Sequence, residues 1–336
     1  MPLLEATTSR ASIAPPVSVK LISYTRDAPR LAAAAARITV SKKPVEKAWE
    51  MQPSDIEKWI RELVRRGHGS PLEHAVYTFE AVCSRVCSHQ LVRHRIASYT
   101  QQSMRYTEGF LRSMVLEICS ILGVNCPEKP GSSVDYSIYS MALSRAADAV
   151  QQILAGESNG AHVDGIVAAV SRAYVINPRW SMDTVLQQVR IHLNATAAYY
   201  EMLAKGVPRE DARFVLPHAV RTRVVFTMNA RELLESFLPL RMCSHAQWEI
   251  RMLAWNVYDK LVEIHPEIFR YAGPRCVLQE NRVRVEPCSL DDYLSGRCSF
   301  TIERCPELVP RKGIQNCLRY ARDSSRAVKG KTAPAW

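Results

Sequence analysis

The sequence predicts an α/β (α+β) fold, a mixed central sheet flanked by long helices, on three observations. Residues 17–24, 76–83 and 220–228 concentrate β-branched and aromatic side chains at the two-residue period of a strand. Residues 186–203 and 250–264 repeat apolar side chains at helical spacing over lengths that strands do not reach. Strands and helices alternate with neither a regular βαβ repeat nor an internal sequence repeat, which points to a mixed sheet covered by helices.

Taken in order, residues 17–24 predict a first strand and residues 28–38 a short alanine-rich helix. From residue 53 a helix is expected in which Ser54 caps the orphan amides and Glu57 reaches back. Ile56, Ile60, Leu63 and Val64 form its apolar stripe, and Gly67 stops it. Residues 76–83 place Tyr77, Phe79 and Ala81 on one strand face and Thr78 and Glu80 on the other. Residues 84–95 predict a helix that carries Arg93, His94 and Arg95 to its C-terminal end, where cations meet the negative pole of the dipole. Residues 97–106 are polar and lack periodicity, and read as a loop. Residues 110–176 contain helical pieces separated by a Gly/Ser/Pro-rich patch at 127–133 and a turn at 156–160, and behave as an insertion. Leu186, Val189, Leu193, Ala197, Tyr200 and Leu203 mark a long helix that ends at Gly206, with Pro208 opening the next. Residues 229–240 and 244–264 complete the helices, the latter burying Ile250, Leu253, Val257, Leu261 and Ile264.

A chain of 336 residues, 47% of them hydrophobic, buries a substantial core. Its longest apolar stretches fall short of the roughly 20 residues that cross a bilayer, so no membrane partner is expected. Residues 1–16 lack a secretion signal's apolar centre and read as a loose leader on a cytoplasmic protein. The net charge of +11 suits nucleic acid, nucleotides or pyrophosphate ligands equally. Ten cysteines are present, five of them at positions 276, 288, 298, 305 and 317, with no C-x-x-C pair among those five. Zinc ribbons and fingers usually carry such pairs, so inert buried thiols are the expectation, with a metal site and, in a hyperthermophile, disulfides as the alternatives.

The densest polar signal is Gln90, Arg93, His94 and Arg95, followed by Ser103, Met104, Arg105 and Tyr106. A guanidinium is a planar fork of donors that matches phosphate oxygens two at a time, so this run suits a diphosphate and a monophosphate together; a solvated basic face is the plainer alternative. Arg213, Asn229, Arg231, Arg241 and His245 add polar groups at element ends.

Arg93-His94-Arg95, seven residues, then Ser103 resembles the signature of flavin-dependent thymidylate synthases. Residues 67–74 (GHGSPLEH), the Asn229-Ala230-Arg231 run and the segment from Arg241 to Ile250 resemble the flanking segments of that family. Three ordered segments are more specific than the short signature. The resemblance implies a catalytic domain over 17–275, interrupted by the insertion and followed by a cysteine-containing extension at 276–336. It implies that Ser70, Arg93, His94, Arg95, Gln101, Asn229, Arg231 and Glu235 bind FAD. It further implies that Gln90, Arg93, Gln101, Gln102, Ser103, Met104, Arg105 and Arg213 hold dUMP, and that Arg241 lies against the uracil ring. Ser103 is a weak nucleophile without a base beside it, and a binding role is favoured. The implied reaction is methylation of dUMP to dTMP with 5,10-methylenetetrahydrofolate, FAD and NADPH, in a homotetramer with shared active sites and without nucleic acid. A flavin-binding relative without synthase activity and a basic nucleic-acid-binding protein are the alternatives. Three departures from the family pattern stand out. Gln101 and Gln102 occupy the place of a glutamate, Met104 replaces a small residue, and the run through Glu235 and Ser236 to Arg241 is one residue longer.

Overall fold

The computed structural model describes residues 13–157 and 162–325. Residues 1–12 of the expected leader and residues 158–160 of the expected turn lie outside them. The chain divides into two compact units. Among the described residues, one comprises 17–82, 89–100 and 224–325, the other 13–16, 83–88, 101–157 and 162–223.

The first unit is built on a small antiparallel sheet of β1 (Ser18–Tyr24), β2 (Val76–Ser84), β3 (Ala97–Gln101) and β4 (Arg221–Asn229), in the order β1-β2-β4-β3. β1 runs antiparallel to β2 from Ser18 opposite Val82 to Tyr24 opposite Tyr77. The alternation seen in the sequence is realised: Tyr77, Phe79 and Ala81 are fully buried, and Phe79 stacks on Phe226 of β4 with ring centroids 5.2 Å apart. Burying each such aromatic contributes about 2 kcal/mol before entropy is counted. β3 replaces the expected loop at 97–101. Its side chains alternate between half-buried and exposed, so its identity resides in backbone pairing that no apolar pattern announces.

The helix Pro53–Arg66 buries Ile56, Ile60, Leu63 and Val64 as expected, and Gly67 ends it at φ 69° in the left-handed region. Its first residue is Pro53, whose missing N–H costs nothing there. The cap position therefore falls on Gln52, and Ser54 lies inside the helix. The last long helix begins at Trp248, since Gln247 accepts hydrogen bonds from the N–H groups of Glu249 and Ile250; residues 244–247 form the turn before it, and Ile264 is only half-buried.

The second unit is helical, with Gly109–Leu122, Ser133–Leu154, Val163–Ala173 and Met182–Ala204 enclosing one apolar core. Ser132 and Asp135 close a capping box at the start of Ser133–Leu154. Arg221 Nε and Nη1 donate to the Ser171 and Pro16 carbonyls, and the Ala14 N–H donates to Ser171 Oγ.

His192 lies buried in this core, its ring 4.2 Å from that of Tyr174, and burial holds it down at about 4 from an ordinary 6.5. On acidification the unfolded chain binds this proton first. The stability that goes with the neutral ring is present in full above pH 6.5 and is lost as the pH falls toward 4, about 3 kcal/mol in all. Urea unfolding across that window is expected to show the loss, and His192→Leu to show a shallower one; equal slopes would exclude His192 as the group responsible.

Candidate functional site

In the sheet unit, the polar side chains singled out from the sequence gather along the ends of β2 to β4. The helix Arg85–Leu91 stops three residues before His94, so Arg93, His94 and Arg95 lie in the turn beyond it rather than in its last turn. The turn sorts them: His94 is 5% exposed, whereas Arg93 and Arg95 face solvent with no partner among the described residues. Tyr99 Oη donates to the carbonyls of Leu91 and His94 and so fixes the turn. Burial, reinforced by the charge of Glu232, pushes the Tyr99 phenol well above its usual range, and it stays a donor.

His94 is held on three sides. Arg241 Nε donates to its Nε2 at 3.0 Å, while its Nδ1 lies 3.1 Å from Glu232 Oε1 and 3.2 Å from Ser236 Oγ. A guanidinium N–H only donates, so Nε2 offers its lone pair and the ring proton sits on Nδ1, facing the carboxylate. The edge of Phe237 closes the remaining side, with centroids 5.2 Å apart. Arg241 Nη2 also donates to the Gln90 carbonyl at 3.1 Å. The result is a guanidinium anchored at two atoms and backed by a neutral imidazole. The Gln90 side chain is 3.5 Å from Gln247 Oε1.

A second group adjoins the segment 67–74. Ser70 is exposed at the start of the short 3-10 helix Ser70–His74, on a groove of about 600 Å³ shared with His68, Lys58 and Trp59. Asn229 caps the following helix through a bond from the Glu232 N–H. Arg231 joins Glu73 at 2.5 Å and Glu235 at 3.0 Å, and these carboxylates, Glu73 first, raise its pKa further. Glu235 also accepts from Arg282, so it is spent on two arginines. A Cβ at Gly69 would fall 2.5 Å from Arg231 Nε, and only a hydrogen fits there. Gly69→Ala is therefore expected to displace Arg231 while leaving the fold intact, weakening FAD about tenfold or more. Fluorescence titration of the apoprotein with FAD reads the effect, and unchanged affinity would show that Arg231 has no part in holding it.

Leu233–Phe237 is a π-helical turn within the run from Ala230 to Arg241. A π-turn absorbs one extra residue without breaking the helix, which accounts for the longer run noted in the sequence. It also separates the two candidates there: Ser236 faces His94, and Glu235 faces Arg231 and Arg282.

The helical unit carries the other set. Gln101 Nε2 donates to Ser88 Oγ and Thr222 Oγ1, the Gln102 N–H donates to the Arg223 carbonyl, and Ser103 Oγ accepts from the Arg105 N–H. The Gln101 side-chain amide helps lock the loop by donating twice, which a carboxylate in its place would not do; the Gln102 bond is made by the backbone and is open to any residue but proline. Met104 packs on the apolar core of this unit. Arg105 pairs with Glu210 at 2.9 Å and lies over the Tyr106 ring, and Arg213 Nε donates to the Glu210 carbonyl. Burial, followed by the charge of Arg213, lowers the pKa of Arg85.

Sequence reasoning missed Glu232, Glu73 and Arg282, and the part that Tyr99 plays in fixing the turn. Glu232 had a faint signal, three residues beyond the capping Asn229; Arg282 had none, because it lies in the extension.

Free guanidinium groups beside a buried, directed imidazole, on a small antiparallel sheet, define a protein that holds anionic, planar ligands. Residues 20–267 match the family described as thymidylate synthase complementing protein. The chain is 47% identical over 318 residues to the flavin-dependent thymidylate synthase of Aeropyrum pernix, with 91% of this chain and 93% of that one covered. It is 38% identical over 312 residues to that of Sulfolobus acidocaldarius, covering 91% and 95%. A crystal structure of the UMP/dUMP methylase PolB from Streptomyces cacaoi, bound with 5-Br dUMP, shares the fold at 24% identity and a TM-score of 0.50 over 75% of this chain and 93% of that one. The chain belongs to the thymidylate synthase complementing family of flavin-dependent enzymes. Among the described residues no helix is long and apolar enough to cross a membrane.

Proposed function

We propose that this chain methylates dUMP to dTMP, using 5,10-methylenetetrahydrofolate as carbon donor, FAD as hydride carrier and NADPH as reductant. The anchored Arg241 guanidinium, backed by neutral His94, is the observation that carries the reading. When bound, the flavin supplies the hydride that completes the methyl group.

The residues present fit that cofactor. Arg93 and Arg95 offer unpaired guanidinium forks for a diphosphate, Ser70 offers a hydroxyl on the groove, and Gly69 lets Arg231 approach the backbone of that segment. Asn229 and His94 already serve the fold as cap and buried link, so they shape the site from behind. Gln90 and Arg241 in one set, and Gln101, Gln102, Ser103, Arg105 and Arg213 in the other, are assigned to the nucleotide. Arg241 stabilises the negative charge that develops on the uracil ring and makes its carbon more nucleophilic. Ser103, with its hydroxyl accepting from Arg105, orients and does not attack. We assign the enzyme to the cytoplasm and to a homotetramer in which the two sets of residues need not come from one chain.

The purified protein is expected to be yellow and to release tritium from [5-³H]dUMP only with folate and NADPH present. A colourless protein whose affinity for nucleic acid falls steeply with salt would overturn the reading. A yellow protein without tritium release would leave a flavin binder and remove the synthase.

A further inference from the structure

Cys243, Cys276, Cys305 and Cys317 come from four separate stretches: the turn after Arg241, the start of the Arg275–Val283 helix, the loop after it, and the Arg311–Ser324 helix. They line one small cavity of about 20 Å³, otherwise walled by Pro274, Val309, Ile314 and Leu318 among others. That is room for about one water-sized particle. Each sulfur lies within electrostatic reach of the other three, so they form a quartet and not two pairs. Elsewhere the chain forms disulfides where thiols pair, at Cys119–Cys126 and Cys288–Cys298, yet all four of these remain free thiols. The Cys288–Cys298 bond departs from the inert thiols expected of the extension.

We propose that this quartet is a site for one thiophilic divalent cation of the zinc type, held by four thiolates. No three of these sulfurs lie within 4.8 Å of one another. Binding therefore draws them inward, to about 3.8 Å apart, the edge of a tetrahedron with metal–sulfur bonds of about 2.3 Å. Four thiols lose four protons as the ion enters, leaving a centre of charge −2, with no electron transferred. The surroundings suit that charge. The backbone N–H groups of His245 and Val277 point at the Cys243 and Cys276 sulfurs, Ser244 Oγ lies 2.9 Å from Cys317 Sγ, and the Arg251 charge favours the Cys317 thiolate. Arg275, His245 and Glu307 also line the cavity, the Glu307 carboxylate 3.6 Å from Arg275. The ion ties the extension to the turn that begins at Arg241, and the spacing hid it: the ligands stand 33, 29 and 12 residues apart (276 − 243, 305 − 276, 317 − 305).

The full chain, purified under reducing conditions, is expected to contain about one zinc per chain by elemental analysis. Exchange with cobalt(II) is expected to give the thiolate charge-transfer band and the visible bands of a tetrahedral sulfur site. Cys305→Ser and Cys317→Ser lose the ion, whereas Cys119→Ser, which breaks a disulfide in the other unit, retains it. Should the serine variants fail to fold, the cobalt spectrum of the unaltered chain still decides. Absence of metal together with absence of the cobalt bands overturns the proposal, as does finding the four thiols oxidised to disulfides after purification under reducing conditions.

Discussion

Arg241→Ala is expected to lower kcat/KM for dUMP by about a hundred- to a thousandfold, the cost of removing one preorganised charge from the position where an anion develops. The magnitude rests on anchoring. Arg241 spends Nε on His94 and Nη2 on the Gln90 carbonyl, so its plane is set before any ligand arrives and little reorganisation is left for the reaction. Lysine restores the charge but neither the fork nor the bond to Nε2, so Arg241→Lys should fall between alanine and the parent. Steady-state tritium release, with flavin content measured for each variant, tests this. An alanine variant that holds its flavin and turns over within a few-fold of the parent would remove Arg241 from the chemistry.

How much of this was legible in the sequence depends on the kind of signal each feature leaves. β2 and the helix Met182–Ala204 were legible because one face of each is buried, so burial wrote a period of two or of 3.6 into the residues themselves. β3 left no such trace, since a polar strand at the edge of the sheet is defined by its backbone bonds. The cap expected at Ser54 lies two residues earlier at Gln52, because proline takes the first helical position, and the last long helix, expected from residue 244, begins at Trp248 behind a glutamine cap. In the site, the arginines and His94 were visible as residue types in order. Their partners were not: Glu232 stands 138 residues from His94, and nothing local pairs them. The extra residue before Arg241 was legible as a length, and only the π-turn shows that it directs Ser236 toward His94 and Glu235 away.

Glu232→Leu is expected to separate structure from function at the buried link. The carboxylate is 6% exposed, and its removal leaves the His94 Nδ1–H with only the longer contact to Ser236 Oγ. Exchanging a charged acceptor for a longer bond to a hydroxyl costs about 1–2 kcal/mol, enough to lower the melting temperature by a few degrees in a chain of this size. The functional loss follows by a different route. With its proton held only by Ser236, the ring is less firmly oriented, and the lone pair that fixes Arg241 Nε is less firmly aimed. We expect kcat per bound flavin to fall about tenfold or more while KM for dUMP changes little, because Glu232 positions the group that acts and is not assigned to the nucleotide. Glu232→Gln keeps an acceptor oxygen of the same reach, and it should recover most of kcat even if stability is only partly restored. If Glu232→Leu melts earlier yet keeps its kcat per flavin, Glu232 serves the fold alone, and the link from carboxylate through imidazole to guanidinium has no part in turnover.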